Sequence, residues 1–127
     1  MIDEVSFDKA LSNTYLSYLY RDADNYKHEH TVVFTGAATK EAAQALLNYV
    51  GPLDGFVPSE VGLPDLQEQM LTGWTPGVDH PYHEVISIGL TNKETSVGET
   101  FDDLAERWLK ADWAAASTRV ISKHEGG

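Results

Sequence analysis

Four of the five histidines fall into two close pairs, His28 and His30 in His-Glu-His, and His80 and His83 in Asp-His-Pro-Tyr-His-Glu. If the first pair ends one strand and the second opens its neighbour, four imidazoles converge at one end of a sheet with Asp79 and Glu84 beside them. That set suits a divalent ion of borderline softness such as zinc, nickel or iron. Two side chains spaced His-x-His on a strand point the same way, as a chelate needs. Without a metal, His83 next to Glu84 has the makings of a general base, although no motif announces the pocket that would hold its substrate. The competing possibility is that these are ordinary polar residues at strand ends.

A second dense cluster spans residues 20–27, where Tyr20, Arg21, Asp22, Asp24 and Tyr26 alternate charge with aromatic surface. With Trp74 and Tyr82 it forms the candidate binding set. Tyrosine supplies rigid contact area, and Arg21 a planar donor fork. The same residues also suit a turn whose Asp and Asn bond their own backbone. Asp22-x-Asp24 lacks the later glycine and distal glutamate of a calcium loop. A small-molecule pocket lined by Tyr18, Tyr20, Trp74 and Tyr82 is a further possibility. No P-loop, dinucleotide fingerprint, nucleophile elbow, His-Glu-x-x-His or kinase set is present, so an enzyme is the weaker expectation and no catalytic residue is assigned.

The elements that must position these groups are legible in part. Leu16, Tyr18 and Tyr20 alternate along residues 14–20, and residues 30–35 form a β-branched run, so the two predict a hairpin with a long turn at residues 21–29. The period then lengthens to 3.6, with Thr39 as N-cap, Ala43, Leu46, Leu47 and Val50 on one stripe, and Gly51-Pro52 as the stop. All five prolines fall between residues 51 and 82, which predicts a long irregular excursion with one short helix from Pro64 through Leu71. Residues 83–91 predict a core strand carrying Ile86, Ile88 and Leu90 on one face. Thr100 opens a second main helix with Phe101, Leu104, Ala105, Trp108 and Ala111 inward and Asp103–Arg107 and Glu106–Lys110 pairs outside. Residues 114–127 are expected to fray or to add an edge strand at residues 118–122, and residues 1–13 to be a short helix or extended, frayed chain. The fold class expected is α+β: one domain over residues 1–127, with a small antiparallel sheet of three to four strands packed on two main helices.

Composition bounds the partners. A chain of 127 residues that is 42% hydrophobic has room for one core. Its formal charge of −11, with no basic island, repels phosphate backbones and anionic lipid, so neither nucleic acid nor a membrane is expected as a direct partner. Cysteine is absent, which excludes disulfides, thiolate metal sites and cysteine nucleophiles. The acidic start lacks the basic region of a secretory signal, and no apolar run approaches the roughly 18 residues of a membrane span. A cytoplasmic location is the expectation by elimination.

The segments Tyr18-Leu19-Tyr20-Arg21-Asp22-Ala23-Asp24-Asn25-Tyr26-Lys27, Phe56-Val57-Pro58, Val61-Gly62-Leu63-Pro64 and Asp79-His80-Pro81-Tyr82-His83-Glu84 resemble those of a group of short uncharacterised bacterial proteins. The resemblance covers about residues 15–90. It implies a bacterial or phage origin and a shared surface for the first turn and the histidine segment; it carries no mechanism. In size and charge the chain is similar to phage-encoded inhibitors of the anti-CRISPR kind. The function expected is therefore a small acidic protein-binding module, with no cofactor, acting as an inhibitor that docks on a basic, nucleic-acid-binding protein surface. The alternative is a metal-binding protein or metal-dependent enzyme using the clustered histidines with a divalent ion such as zinc.

Overall fold

The computed structural model describes residues 1–126. Alternation of buried Leu16, Tyr18 and Tyr20 runs along β1 (Asn13–Arg21), and β2 (Lys27–Phe34) returns antiparallel beside it, placing Tyr18 opposite His30 and Tyr20 opposite His28. The turn between them is shorter than the composition suggests. The Asp22 N–H donates to the Tyr26 carbonyl at 3.1 Å, and Asp22 Oδ1 accepts from the N–H groups of Asp24 and Tyr26, each at 2.9 Å. Asn25 takes φ 67°, a left-handed conformation that Asn tolerates.

β3 (Gly55–Phe56) and β4 (His83–Thr91) complete a four-stranded antiparallel sheet in the order β2-β1-β4-β3. The β1–β4 ladder slips between Ser17 and Tyr18: Ser17 faces Ser87, but Tyr18 faces Val85. One extra residue, Ile86, is thus accommodated in β4 as a bulge, which interrupts the alternation. Ile88 and Leu90 are buried as expected, whereas Ile86 is only half-buried.

Helix α1 (Glu4–Phe7) and the residues before it are docked, not frayed. The Asp3 N–H donates to Ile88 O at 2.8 Å, the Ile88 N–H to Met1 O at 2.9 Å, and the Leu90 N–H to Ser6 Oγ at 2.8 Å. Gly89 allows this approach, since a Cβ there would sit 2.7 Å from Ser6 Oγ and 2.8 Å from Tyr15 Cε1. Gly89→Ala is expected to cost about 1–3 kcal/mol and to free the N-terminal segment. Urea unfolding measures the first effect, and hydrogen exchange at the Asp3 and Leu90 amides the second.

The Thr39 hydroxyl caps α2 (Lys40–Asn48), accepting from the Ala42 N–H at 3.1 Å. Thr100 and Asp103 cap α3 (Phe101–Leu109) reciprocally, at 3.1 and 3.0 Å. That capping role withdraws Asp103 from the expected pair with Arg107. Arg107 instead reaches Glu99 at 2.6 Å and the Val61 carbonyl at 2.9 Å, while Glu106–Lys110 does form, at 3.0 Å.

The tail corrects the expectation of fraying or an edge strand, because residues Trp113–Glu125 form α4. The β-branched Thr118, Val120 and Ile121 suggest a strand, but Asp112 caps the Ala115 N–H at 3.0 Å, and Trp113, Ala116 and Val120 bury at helical spacing. Gly127, the last residue of that expected tail, lies outside the described residues.

The excursion is ordered by three 3₁₀ turns, Pro52–Asp54, Pro58–Val61 and Leu66–Gln69. The helix expected from Pro64 to Leu71 contracts to the last of these, which Asp65 caps. Val57, Val61, Leu63 and Leu66 join the core, while Leu71 stands fully exposed. Among the described residues no helix is long and apolar enough to cross a membrane.

Candidate functional site

The excursion is tied to the tip of the hairpin by groups that β1 presents. The Tyr20 hydroxyl donates to Asp79 Oδ1 at 2.5 Å, the Ala23 N–H to Val78 O at 3.0 Å, and His80 Nε2 to the Arg21 carbonyl at 2.7 Å. Burial, reinforced by the Asp79 carboxylate, pushes the Tyr20 hydroxyl well above its usual pKa, so it remains a donor at any physiological pH. The first turn and the His80–His83 segment consequently lie side by side.

The tip forms a ridge between two clefts. One, of about 520 Å³, is lined by Arg21, Leu53, Asp54, Tyr82 and Glu84 among others. Arg21 Nε meets Glu84 Oε2 at 3.1 Å, and its Nη1 meets Asn25 Oδ1 at 2.5 Å. Leu53 and Asp54 are consecutive left-handed residues, with φ 62° and 52°, and such strain costs on the order of 1 kcal/mol each. The turn is closed by Gly51 N–H on Gly55 O at 2.8 Å, with Tyr82 laid across both glycines.

The other groove, of about 560 Å³, runs between residues 22–28 of the hairpin and 69–79 of the excursion. It combines Asp22, Asp24 and Asp79 with Tyr26, Met70 and Leu71. Tyr26 is 68% exposed and Leu71 105%, so large apolar surface stands beside carboxylates. Composition pointed to Asp22, Asp24 and Tyr26; Met70, Leu71 and Val78 were missed as site residues. The sequence places Met70 and Leu71 on the short helix expected from Pro64 through Leu71; the turn ends at Gln69 and leaves both beside the groove.

The four histidines do not assemble the metal site that their spacing offered as the alternative. His83 is fully buried, its Nε2 accepts from the Leu66 N–H at 3.0 Å, and its Nδ1 faces the Pro81 carbonyl at 3.1 Å. These partners define the neutral Nδ1–H tautomer with no lone pair to spare. Burial holds its pKa down to about 3, so Asp65, 3.5 Å from Nε2, is a neighbour of a neutral ring and not an ion-pair partner. His80 is likewise committed, giving Nε2–H to Arg21 O while Nδ1 accepts from the Tyr82 N–H at 3.1 Å. His28 bonds Gln69 Oε1 at 2.7 Å, and His30 packs edge-on against Tyr18. The backbone has taken the lone pairs that a metal would need at His80 and His83. Among the described residues the four imidazoles form no ligand cluster.

The candidate binding residues separate into two groups. Arg21, Asp22, Asp24, Tyr26 and Tyr82 line the clefts, whereas Tyr20 is inside the core and beyond the reach of a partner. Tyr18 and Tyr20 are both fully buried, so the expected small-molecule pocket among Tyr18, Tyr20, Trp74 and Tyr82 is filled by packing. Trp74 turns instead to α4, stacking on His124.

Electrostatically the surface is one-sided. Six of the nine Lys and Arg side chains, Arg21, Lys40, Arg107, Lys110, Arg119 and Lys123, are engaged by carboxylates. Comparisons of the chain with protein-family models, with curated proteins and with solved structures found no match.

Proposed function

We propose that the protein is a binding module whose hairpin-tip groove seats a basic, apolar-anchored segment of a partner protein. A nucleic-acid-binding surface of the sort blocked by anti-CRISPR-like inhibitors fits that description. The observation that carries the proposal is the consumption of the cations. With six of nine in ion pairs, most of the 20 carboxylates have no cationic partner among the described residues, and the excess charge of −11 is left facing outward. In the groove, Lys27 is the single Lys or Arg among the lining residues, against three carboxylates, Asp22, Asp24 and Asp79. Exposed Tyr26 and Leu71 supply the apolar contact on which a hot spot is built.

The test uses a synthetic Lys- and Arg-rich peptide with a central leucine, titrated into isotope-labelled protein. Resonance shifts should concentrate at residues 22–28 and 69–79. Raising salt from about 50 to about 400 mM should weaken binding at least about tenfold. Asp24→Lys, on the exposed turn, should weaken it by a similar factor. A salt-independent affinity, or shifts scattered evenly over the acidic surface, would overturn the proposal.

A further inference from the structure

We propose that Asp65, Glu68 and His124 bind one divalent transition-metal ion, at a site separate from the hairpin-tip groove. Asp65 caps the Leu66–Gln69 turn and Glu68 lies three residues on, so one tight turn supplies two carboxylates. His124 comes from the last turn of α4. One carboxylate oxygen from each acid and a ring nitrogen of His124 lie within 4.8 Å of one another. Three ligands bound tetrahedrally at about 2.1 Å lie about 3.4 Å apart, so the cluster closes by at most about 1.4 Å when an ion enters.

A second observation points independently to a ligand. Nε2 of His124 is buried and has no hydrogen-bond partner among the described residues, a costly condition for an imidazole nitrogen. The ring is also held in place: it stacks parallel on Trp74 at 4.5 Å, and the Trp74 N–H is anchored on Glu125 at 2.9 Å. Orientation of a ligating imidazole by its surroundings is the usual support for a metal centre. The Asp65 side chain is 12% exposed, and His83 Nε2, 3.5 Å away, is already taken by the Leu66 N–H. The Lys123 ammonium rests on Glu68, where positive charge is already accommodated. Its side chain is 64% exposed, so an ion can displace it at little cost.

The adjoining cleft of about 350 Å³, lined by Ser59, Asp65, Glu68 and Lys123 among others, gives an ion access from solvent. One imidazole with two carboxylates favours zinc, manganese or iron(II) over calcium, which takes six to eight oxygens.

Calorimetric titration of zinc, and separately of manganese, into tag-free protein previously stripped with EDTA tests the site. One ion per chain is expected for at least one of the two metals. His124→Ala and Glu68→Gln should each weaken binding at least about tenfold, while His28→Ala should leave it unchanged. Lys123→Met, which removes the competing cation, should tighten it. Glu68→Gln keeps the apolar packing, so its loss of affinity cannot be put down to unfolding; matching urea midpoints would verify this. Absence of stoichiometric binding by both metals, equal affinity in His124→Ala and Glu68→Gln, or loss of binding in His28→Ala would overturn the proposal. The peptide experiment at the groove is unaffected by either result.

Discussion

Acidification from pH 7 to pH 4 is expected to remove on the order of 3 kcal/mol of stability through one side chain, His83. Its imidazole titrates near 3 in the folded protein against 6.5 in the unfolded chain, with burial as the main cause. Between those values the unfolded chain holds a proton that the folded protein refuses, so stability rises with pH across the window. The contribution is complete above pH 6.5 and is lost as pH falls toward 3, at about 1.4 kcal/mol per unit. The structural reason is specific: protonated Nε2 can no longer accept the Leu66 N–H, which has no water to turn to in the core.

Asp65 acts in the opposite sense. Burial raises its pKa, so it gains a proton more readily when folded and offsets part of the loss as pH falls. Asp103, lowered by its bonds to Thr100, adds to the loss, but as an exposed group it adds little. Urea midpoints between pH 7 and pH 4, measured in EDTA to exclude bound ions, give the slope. His83→Gln, whose carboxamide oxygen can still accept from Leu66, should flatten it, and His28→Gln should not. An unchanged slope in His83→Gln would assign the acid sensitivity elsewhere.

Trp108→Ala should cost about 3–5 kcal/mol, a large share of the 5–15 kcal/mol that holds a typical domain folded. Trp108 is fully buried, with Phe56 at 4.5 Å and Trp113 at 5.4 Å between ring centroids. Its Nε1–H also donates to Leu46 O at 3.1 Å and Tyr49 O at 2.8 Å, carbonyls at the end of α2, where Leu46 O also accepts from the Tyr49 N–H at 3.0 Å. Trp113 gives its own N–H to Tyr49 O at 3.2 Å, so two indoles close one helix terminus. Trp108→Phe keeps an aromatic ring and removes the donor, and should cost about 1–2 kcal/mol. Urea unfolding ranks the two variants. A cost below about 1 kcal/mol for Trp108→Ala would show that the core tolerates collapse around that position.

Local signals were enough to identify most of the elements from sequence. The alternation of Leu16, Tyr18 and Tyr20 marks a half-buried strand, Thr39 with Gly51-Pro52 brackets a helix, and Thr100 with Asp103 caps another, because each depends on neighbours within a few residues. The α+β class follows from those elements, as do three of the four antiparallel strands; β3 (Gly55–Phe56) lies in the stretch expected to be irregular, and the edge strand weighed at residues 118–122 is part of α4. Part of the candidate site was readable for the same reason: turn chemistry at residues 22–26 is local, and it placed Asp22, Asp24 and Tyr26 at the surface.

What only the tertiary structure decided depends on partners distant in the chain. Whether α4 was helix or strand turned on Trp113, Ala116 and Val120 finding a core built by other elements. The two histidine pairs carried the most conspicuous spacing, yet His80 and His83 are occupied by backbone groups at residues 21, 66, 81 and 82. Among the described residues His124, outside both pairs, has a buried, unpartnered Nε2 and a ring nitrogen within 4.8 Å of two carboxylates 56 and 59 positions earlier. Spacing along the chain reports which side chains can share a face of one element. Which lone pairs remain free is settled only when every other donor and acceptor has been placed.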